Sequence, residues 1–596
     1  DFAWRFRLGL QHPPSPPPPP TPSVGCAGAN VFAPANGLQC GGLSPSSKGT
    51  TAALCEKECC DDNACAVWQW EDPKIQGGGC WLGECTAGFN KVTSWVGGNR
   101  SAPVPPAPTP APLPPGVSPP ESKVAYDDSS WELINAPHDS LINQSASKEL
   151  CAGGCSGRSY IPRYDSWYRK HFALPQAWAL GAAEGAIWLR FDGVFRETTI
   201  WLNGVNISSH ISGYTSFSVR LPNELLKFGT SGGVNVVALL TDPNKGKTGW
   251  WYEGGGLYRH VRLVRTNALH IASDGVMAYS NLTGIDARGA TASGASMHAS
   301  VAVENDLTTP AEHVQARFTL FDTHGASVGS QTSAVATVPG TTTSEFHAVL
   351  SDLGVSVKLW GPKTPTLYTL ATEILINGIT TGDGVNRSFG FRSLQYDSTV
   401  GMQMNGKHFK WRGLCDHNNF ASVGMAVPDR VKLFRAQASR SVGGNGRRTS
   451  HNAPDPVMLD IYDRIGIAVM DENRNLGNSS EDENEMRDMV RRDRVHPSVV
   501  VWSFCNEAGC ESSFQQEGGP RFQKATYELD GSRPTLANMF TYNDLLSKTI
   551  DVQGFSHKNR ALFVAAHAAM PEKPLWASEC CSCNTMRGEA GGAGSD

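Results

Sequence analysis

From about residue 400 to residue 579 the chain alternates short apolar runs with helical stretches, which restricts this region to a parallel α/β architecture. The runs lie around KHFKWRG, the stretch before RRTSHN, IGIAVMDEN, SVVVWSFCNE, RPTLANM, IDVQGFS and KPLWASE. Several end in polar residues. In a (β/α)8 TIM barrel the carboxyl ends of the strands line the active site, so the pattern predicts a catalytic domain with its chemistry at one mouth. Residues 580–596 are too few for the seventh helix, an eighth strand and its helix, so the barrel is expected to lack its last βα unit.

Two of these runs end on glutamate. Apolar SVVVWSF leads into Cys505-Asn506-Glu507, and PLWAS leads into Glu579. A single glutamate at a strand end is usually a structural acceptor. On the fourth and seventh strands, however, two would face one another across the mouth. Paired carboxyls so placed suit glycosidic cleavage, in which one protonates the leaving oxygen and the other attacks the anomeric carbon.

Composition removes other classes. The formal charge of -5 and the absence of a Lys/Arg-rich run give no field for nucleic acid. No apolar stretch is long enough to span a membrane. At 596 residues the chain needs several cores, and three to five domains are expected. Residues 1–24 read as a proline-rich segment, 25–100 as a cysteine-rich module, and 101–122 as a proline-rich linker of polyproline II type. Eight of the 16 cysteines lie between Cys26 and Cys85, an even number that favours four internal disulfides of open connectivity over a metal site. Its Trp68, Trp70 and Trp81 fill that small module or, on a sharper reading, stack on cell-wall or matrix glycans. Cys415 and Cys505, in apolar or strand-end contexts, are expected as free thiols. Six Asn-x-Ser/Thr sequons beside the cysteine cluster point to a secreted glycoprotein. The chain opens on Asp1 with no leader, which fits a removed signal peptide or a longer parent chain.

Alternating runs such as AIWLRFDG, TTIWLNG and VNVVALL make residues 123–266 a jelly-roll β-sandwich. The Asn203-Gly204 pair marks a two-residue hairpin. A second set of strands over 267–392 has the size of an immunoglobulin-like sandwich, and 393–596 is the TIM-barrel domain.

WYRKHFALP, LRFDGVFRETTIWLNG and WWYEGGGLYRHVRL resemble the sugar-binding domain of family 2 glycoside hydrolases. RTSHNAPDPVMLDIYDRIGIAVMDEN and RVHPSVVVWSFCNE resemble that family's two catalytic signatures. The cysteine module resembles PAN/apple-like adhesion modules. The family includes β-galactosidases, β-mannosidases and β-glucuronidases, and RGLCDHNNF looks closest to the galactosidase type. The resemblance implies a retaining hydrolase of terminal β-glycosides, with Glu507 as acid/base and Glu579 as nucleophile. It also implies that Asn506 bonds the substrate 2-hydroxyl, that Arg448 keeps Glu579 ionised, and that His451 and His417 line the sugar site. His557 stands where the family has a tyrosine beside the nucleophile, and Arg447 where it has an apolar residue. Members that bind magnesium use a Glu and a His just after the third strand; DENRNLGNSS offers neither at that place, so no metal or other cofactor is assigned, and Asp471 and Glu472 read as structural acceptors at the strand end. A non-catalytic extracellular adhesion protein is the alternative from another class; the pair Glu507 and Glu579 separates the two.

Overall fold

The computed structural model describes residues 3–8, short stretches between 32 and 100, and 118–580 apart from 148–159, 180–184, 230–232, 245–250, 352 and 354–355. Two compact units divide the chain: Asp1–Gly9 with Ser118–Asp596, and Leu10–Val117.

The larger unit begins with a sandwich whose six-stranded sheet runs Val205–His210, Thr198–Leu202, Asn235–Thr241, Ser166–Phe172, Trp4–Leu8, Glu132–Ile134. Its three-stranded partner runs Phe217–Leu221, Ala186–Phe191, Val261–Thr266. Inward residues of both sheets, including Ile187, Leu189, Phe191, Ile200, Leu202, Val237 and Leu239, make one core. The Asn203-Gly204 hairpin forms with both residues at positive φ, +49° and +89°, as a two-residue turn between twisted strands requires.

Residues 1–24 read from sequence as one proline-rich segment, but Trp4–Leu8 is a strand between Ser166–Phe172 and Glu132–Ile134. WRFRL alternates in the sheet manner: Trp4 and Phe6 are buried in the core while Arg5 and Arg7 lie on the other face. Its partners are more than a hundred residues away, so five residues of alternation gave no local sign of a sheet. The cysteine-rich segment is therefore an insertion between two strands of this sandwich in chain order. Phe6 packs edge-on against His138 at 4.6 Å and beside Tyr168 at 5.1 Å. Phe6→Ala should cost about 3 kcal/mol in chemical denaturation, the scale for removing a buried aromatic ring.

Burial pushes His138 down to about 4. Its folded pKa thus lies below the unfolded value of about 6.5, and the unfolded chain takes up the proton first. The stability it contributes is present above pH ~6.5 and is lost as pH falls towards ~4. Replacing His138 by Gln should flatten part of the drop in thermal midpoint over that window, measured against wild type.

In the smaller unit, Phe32–Pro34, Val96–Arg100, Val67–Glu71, Gly79–Gly83 and Ser44–Ser46 form an antiparallel sheet in that order. Cys55 and Cys80 are joined by a disulfide, and Cys59 is also disulfide-bonded. The remaining pairings, the tryptophan side chains and the proline-rich spacers up to residue 117 lie outside the described residues; Pro120–Ser122, read as the end of the second spacer, is a short 3-10 helix.

The second sandwich packs Leu269–Ile285, Thr291–Asn305 and Thr342–Leu350 against a sheet containing Ala311–Phe321, Tyr368–Ile376 and Ile379–Phe389. Val301, Val303, Phe318, Leu320, Leu370 and Phe391 lie in its core.

The catalytic-type domain is a sheet of seven parallel strands in sequential order: β1 (Gly413–Cys415), β2 (Gly446–Arg448), β3 (Ala468–Glu472), β4 (Val499–Asn506), β5 (Thr535–Met539), β6 (Val552–Ser556) and β7 (Leu575–Glu579). The first strand starts later than KHFKWRG suggests. Lys407–His408 pairs instead with Gly401–Met404 in a small antiparallel sheet. Trp411 lies against the start of the barrel: a Cβ at Gly446 would come within 2.4 Å of its indole, so the close approach needs glycine there. Between β2 and β3, Asp455 caps the helix α1 (Pro456–Ile465) by accepting from the Val457 N–H, and Gly466 ends it at φ +75°. That local punctuation fixes the path between the Arg448 motif and β3.

Candidate active site

The carboxyl ends of the seven strands converge on one group of polar side chains. Arg448 closes β2, Glu472 closes β3, Asn506 closes β4 with Glu507 next, His557 follows β6, and Glu579 closes β7. His417 lies two residues past β1, and His451 three past β2. The strands β3, β4, β5 and β6 are buried throughout, and their buried parts fix where the polar ends emerge.

Arg448 is the hub. Its Nε and Nη2 donate to the two oxygens of Glu472 at 2.8 and 2.9 Å, and Nη1 donates to Glu579 Oε2 at 2.7 Å. Nη2 also donates to Asn506 Oδ1 at 2.6 Å. Burial opposes the guanidinium charge, but Glu472, Cys415 and Glu579 outweigh it and push Arg448 above its ordinary range. Burial likewise opposes ionisation of Glu472, and Arg448 and His451 reverse the effect, holding that carboxyl below its usual value. Glu472 is thus an ionised acceptor with no exposed surface: Ser503 Oγ donates at 2.8 Å, and His451 Nδ1 lies 2.6 Å away as the donor tautomer. Burial pushes His451 and His417 down, which keeps both rings neutral at neutral pH.

Glu507 and Glu579 have different surroundings. Glu579 faces the guanidinium, whereas Glu507 Oε1 accepts from the Ser556 hydroxyl. His557 Nε2 stands between them, 3.5 Å from Glu507 Oε1 and 3.3 Å from Glu579 Oε1. The ligand atoms of Glu507, His557 and Glu579 all lie within 4.8 Å of one another. That set, and Asp460 with Asp463 and His496 away from this mouth, are the groups among the described residues close enough to share a cation. Glu507 and His557 both take positive φ, +49° and +50°, a backbone conformation that costs side-chain-bearing residues energy and that their surroundings must hold.

Asn506 is oriented without ambiguity. Arginine only donates, so the atom facing Arg448 is the amide oxygen, which also accepts from Asn538 Nδ2 at 2.6 Å. Asn506 Nδ2 is a buried donor that the described residues leave unpaired. Asn538 is held in turn by the Ser578 hydroxyl.

All seven residues singled out in the sequence (Glu507, Glu579, Asn506, His451, His417, Arg448 and His557) come to this mouth. Asn538, Ser556 and Trp251 were not singled out. Asn538 and Ser556 also sit in the last two residues of their strands, the one signal that could have found them. Trp251, in the WWYEGGG loop of the first sandwich, stacks on His417 at 4.5 Å and 10° and meets His451 edge-on at 5.7 Å. Arg474 lies over the same indole at 4.4 Å. A wall of the site therefore comes from the first sandwich. Trp251→Ala should lower kcat/KM about ten-fold by releasing both histidines, and Trp251→Phe should recover most of it. Steady-state kinetics beside a thermal melt would check this.

Arg448, His417, His451, Cys415 and Glu579 line a cavity of about 780 Å³ whose other walls include Trp411 and Trp576. Cys415 is a free thiol, whereas Cys505, expected to be free, is bonded to Cys510. The strand-end context of Cys505 concealed a partner five residues on, brought back by the short 3-10 turn Glu507–Cys510.

Residues 399–579 match the TIM barrel domain of glycosyl hydrolases family 2, and residues 285–392 match a further domain described as glycosyl hydrolases family 2. The chain carries two domains of glycosyl hydrolases family 2. It is 31% identical over 398 residues to beta-galactosidase BoGH2A of Bacteroides ovatus, covering 64% of this chain and 44% of that protein. It is 25% identical over 420 residues to a beta-glucuronidase of Formosa agariphila, covering 66% of this chain and 41% of that protein. The chain thus spans less than half the length of these two relatives. A family 2 crystal structure from Bacteroides cellulosilyticus superposes with a TM-score of 0.67 at 25% identity, covering 77% of this chain and 59% of that one.

Proposed function

We propose that the protein hydrolyses terminal β-glycosides with retention of configuration, β-galactosides first. The observation that carries this reading is that one carboxylate oxygen of Glu507 and one of Glu579 lie within 4.8 Å of each other. A retaining enzyme needs carboxyls about 5–5.5 Å apart, whereas an inverting one needs about 6.5–9.5 Å to seat a water. Glu579, beside Arg448, attacks the anomeric carbon and forms a glycosyl-enzyme. Glu507, beside a hydroxyl rather than a cation, protonates the leaving oxygen and then deprotonates the water that releases the sugar. Asn506 Nδ2 donates to a sugar hydroxyl, the 2-hydroxyl on the family's pattern, while Asn538 and Arg448 fix its orientation.

A panel of nitrophenyl β-glycosides on the full-length protein, with the first-formed anomer read by NMR, tests the reading. β-Galactoside turnover with β-anomer product is expected. An α-anomer product would overturn retention, and no turnover of any glycoside would favour an adhesion protein. The glucuronidase relative makes β-glucuronides the second substrate to try, and β-mannosides the third. Glu507→Gln should keep kcat/KM for a leaving group that needs no proton, and azide should restore its turnover by replacing the activated water. Loss of both properties would remove Glu507 from the acid/base role.

Secretion belongs to the same proposal. Asn143, Asn206, Asn281 and Asn386 are exposed sequon asparagines, and among the described residues no helix is long and apolar enough to cross a membrane. A mass shift on enzymatic deglycosylation would support it. The cysteine-rich module would then hold wall or matrix glycan, testable by pull-down with that module deleted.

A further inference from the structure

Cys505 and Cys510 close a disulfide around the segment that carries Asn506 and Glu507. Both cysteines are buried in the barrel core, among Phe504, Phe522, Ala537 and Met539. One end of the bridge is the last turn of β4, beside Asn506. The other ends the 3-10 turn Glu507–Cys510, and its sulfur lies 3.4 Å from the backbone oxygen of Asn538. Asn538 is the residue whose amide fixes Asn506. Within the enclosed segment Asn506 is held by Arg448 and Asn538, and the Glu507 carboxyl by the Ser556 hydroxyl, but Ala508 and Gly509 carry almost no side chain, and a Cβ built at Gly509 would meet nothing within 4 Å. Glu507 itself sits at φ +49°, a backbone state that a residue with a Cβ leaves unless its neighbours prevent it. Beyond the bridge, Glu511 anchors the following residue by accepting from the Phe540 N–H at 2.8 Å. The return of the turn past Ala508 and Gly509 is fixed by the bridge.

We infer that the Cys505–Cys510 disulfide is a positioning element for Glu507: it fixes the turn that presents this carboxyl to the leaving-group oxygen. This rests on Glu507 being the acid/base. The bridge spans only five residues, so its loop is at the short end of the range over which cross-linking stabilises a whole domain. Its main consequence is local. With the bridge open, Glu507 samples other backbone states, and proton delivery suffers while Glu579, on β7 and held by Arg448, keeps its place. A displacement of about 1 Å is enough to cost ten-fold to a hundred-fold in such a step.

The test is a leaving-group series on the full-length protein, comparing wild type with Cys505→Ala/Cys510→Ala. Wild type treated with a dithiol serves as a second route to the open bridge. The dithiol gives the bridge two electrons and two protons, leaving two thiols and becoming a disulfide itself; thiol titration of the folded protein follows the reaction. The readout is kcat/KM, which reports the first step. Opening the bridge should lower kcat/KM by about ten-fold or more for poor leaving groups, and by less than about two-fold for dinitrophenyl glycosides that need no proton. An equal loss across the series would make the bridge merely structural, and no loss at all would make it idle; either result overturns the inference. Glu507→Gln in the oxidised protein is the control that separates the two readings. If it lacks leaving-group selectivity, the acid/base assignment fails. If it shows that selectivity and the opened bridge does not, only the positioning role fails.

Discussion

Glu579→Gln is expected to abolish turnover of every glycoside, with a fall in kcat on the order of 10⁶-fold, the scale for losing a covalent nucleophile. A better leaving group should not rescue it, because the missing event is bond formation at the anomeric carbon. The fold should survive. Arg448 keeps its two hydrogen bonds to Glu472, and an amide at 579 can still accept from Nη1. The thermal midpoint should therefore move little, which separates a chemical loss from unfolding. Glu579→Gly opens space where the carboxylate stood. Azide should then attack directly and give a glycosyl azide of inverted configuration, identifiable by NMR. Substantial turnover by Glu579→Gln would remove this residue from the reaction.

The second large effect is expected at Arg448, which touches both carboxylate layers. Arg448→Leu should lower kcat by about 10²–10³-fold, since Glu579 loses the cation beside it. Stability should fall by about 3–5 kcal/mol, because Glu472 is left buried without its counter-charge. The pH dependence gives this loss a signature. In wild type Glu472 is held below its ordinary value, so the stability it contributes is present above the unfolded pKa and lost as pH falls through the folded one. Without Arg448, burial is opposed only by His451 and Ser503, and the folded pKa should rise above the unfolded one. The sign then reverses, and the variant should lose stability as pH rises through the folded pKa. Glu472→Gln placed in the same chain should restore part of the stability but none of the activity. Denaturation at several pH values, beside kinetics, checks both halves.

Much of this site was legible in the sequence because a barrel writes its mouth into local patterns. Most of its strands begin as apolar runs, and the residue that ends such a run must emerge at the carboxyl edge. Seven such runs were enough to put Glu507 on the fourth strand and Glu579 on the seventh. The helix between β2 and β3 was equally local, with Asp455, Pro456 and Gly466 marking its ends. KHFKWRG shows where local reading overreaches. Its apolar character serves a small antiparallel sheet and a packed tryptophan, and the barrel strand starts only at Gly413.

The sequence by itself determined the strand order, the two glutamates and the arginine motif, because each depends on residues a few positions apart. Only the tertiary structure decided the partners. Trp4–Leu8 becomes a sheet strand through residues more than a hundred positions away, and Trp251 reaches His417 from the first sandwich. Asn538 orients Asn506 across adjacent strands, and Cys505 finds Cys510 through a turn whose return no composition announces. Distances between side chains depend on strand twist, stagger and rotamer. The approach of one carboxylate oxygen of Glu507 to one of Glu579 within 4.8 Å, on which the proposed reaction turns, exists only once β4 and β7 are folded into one sheet.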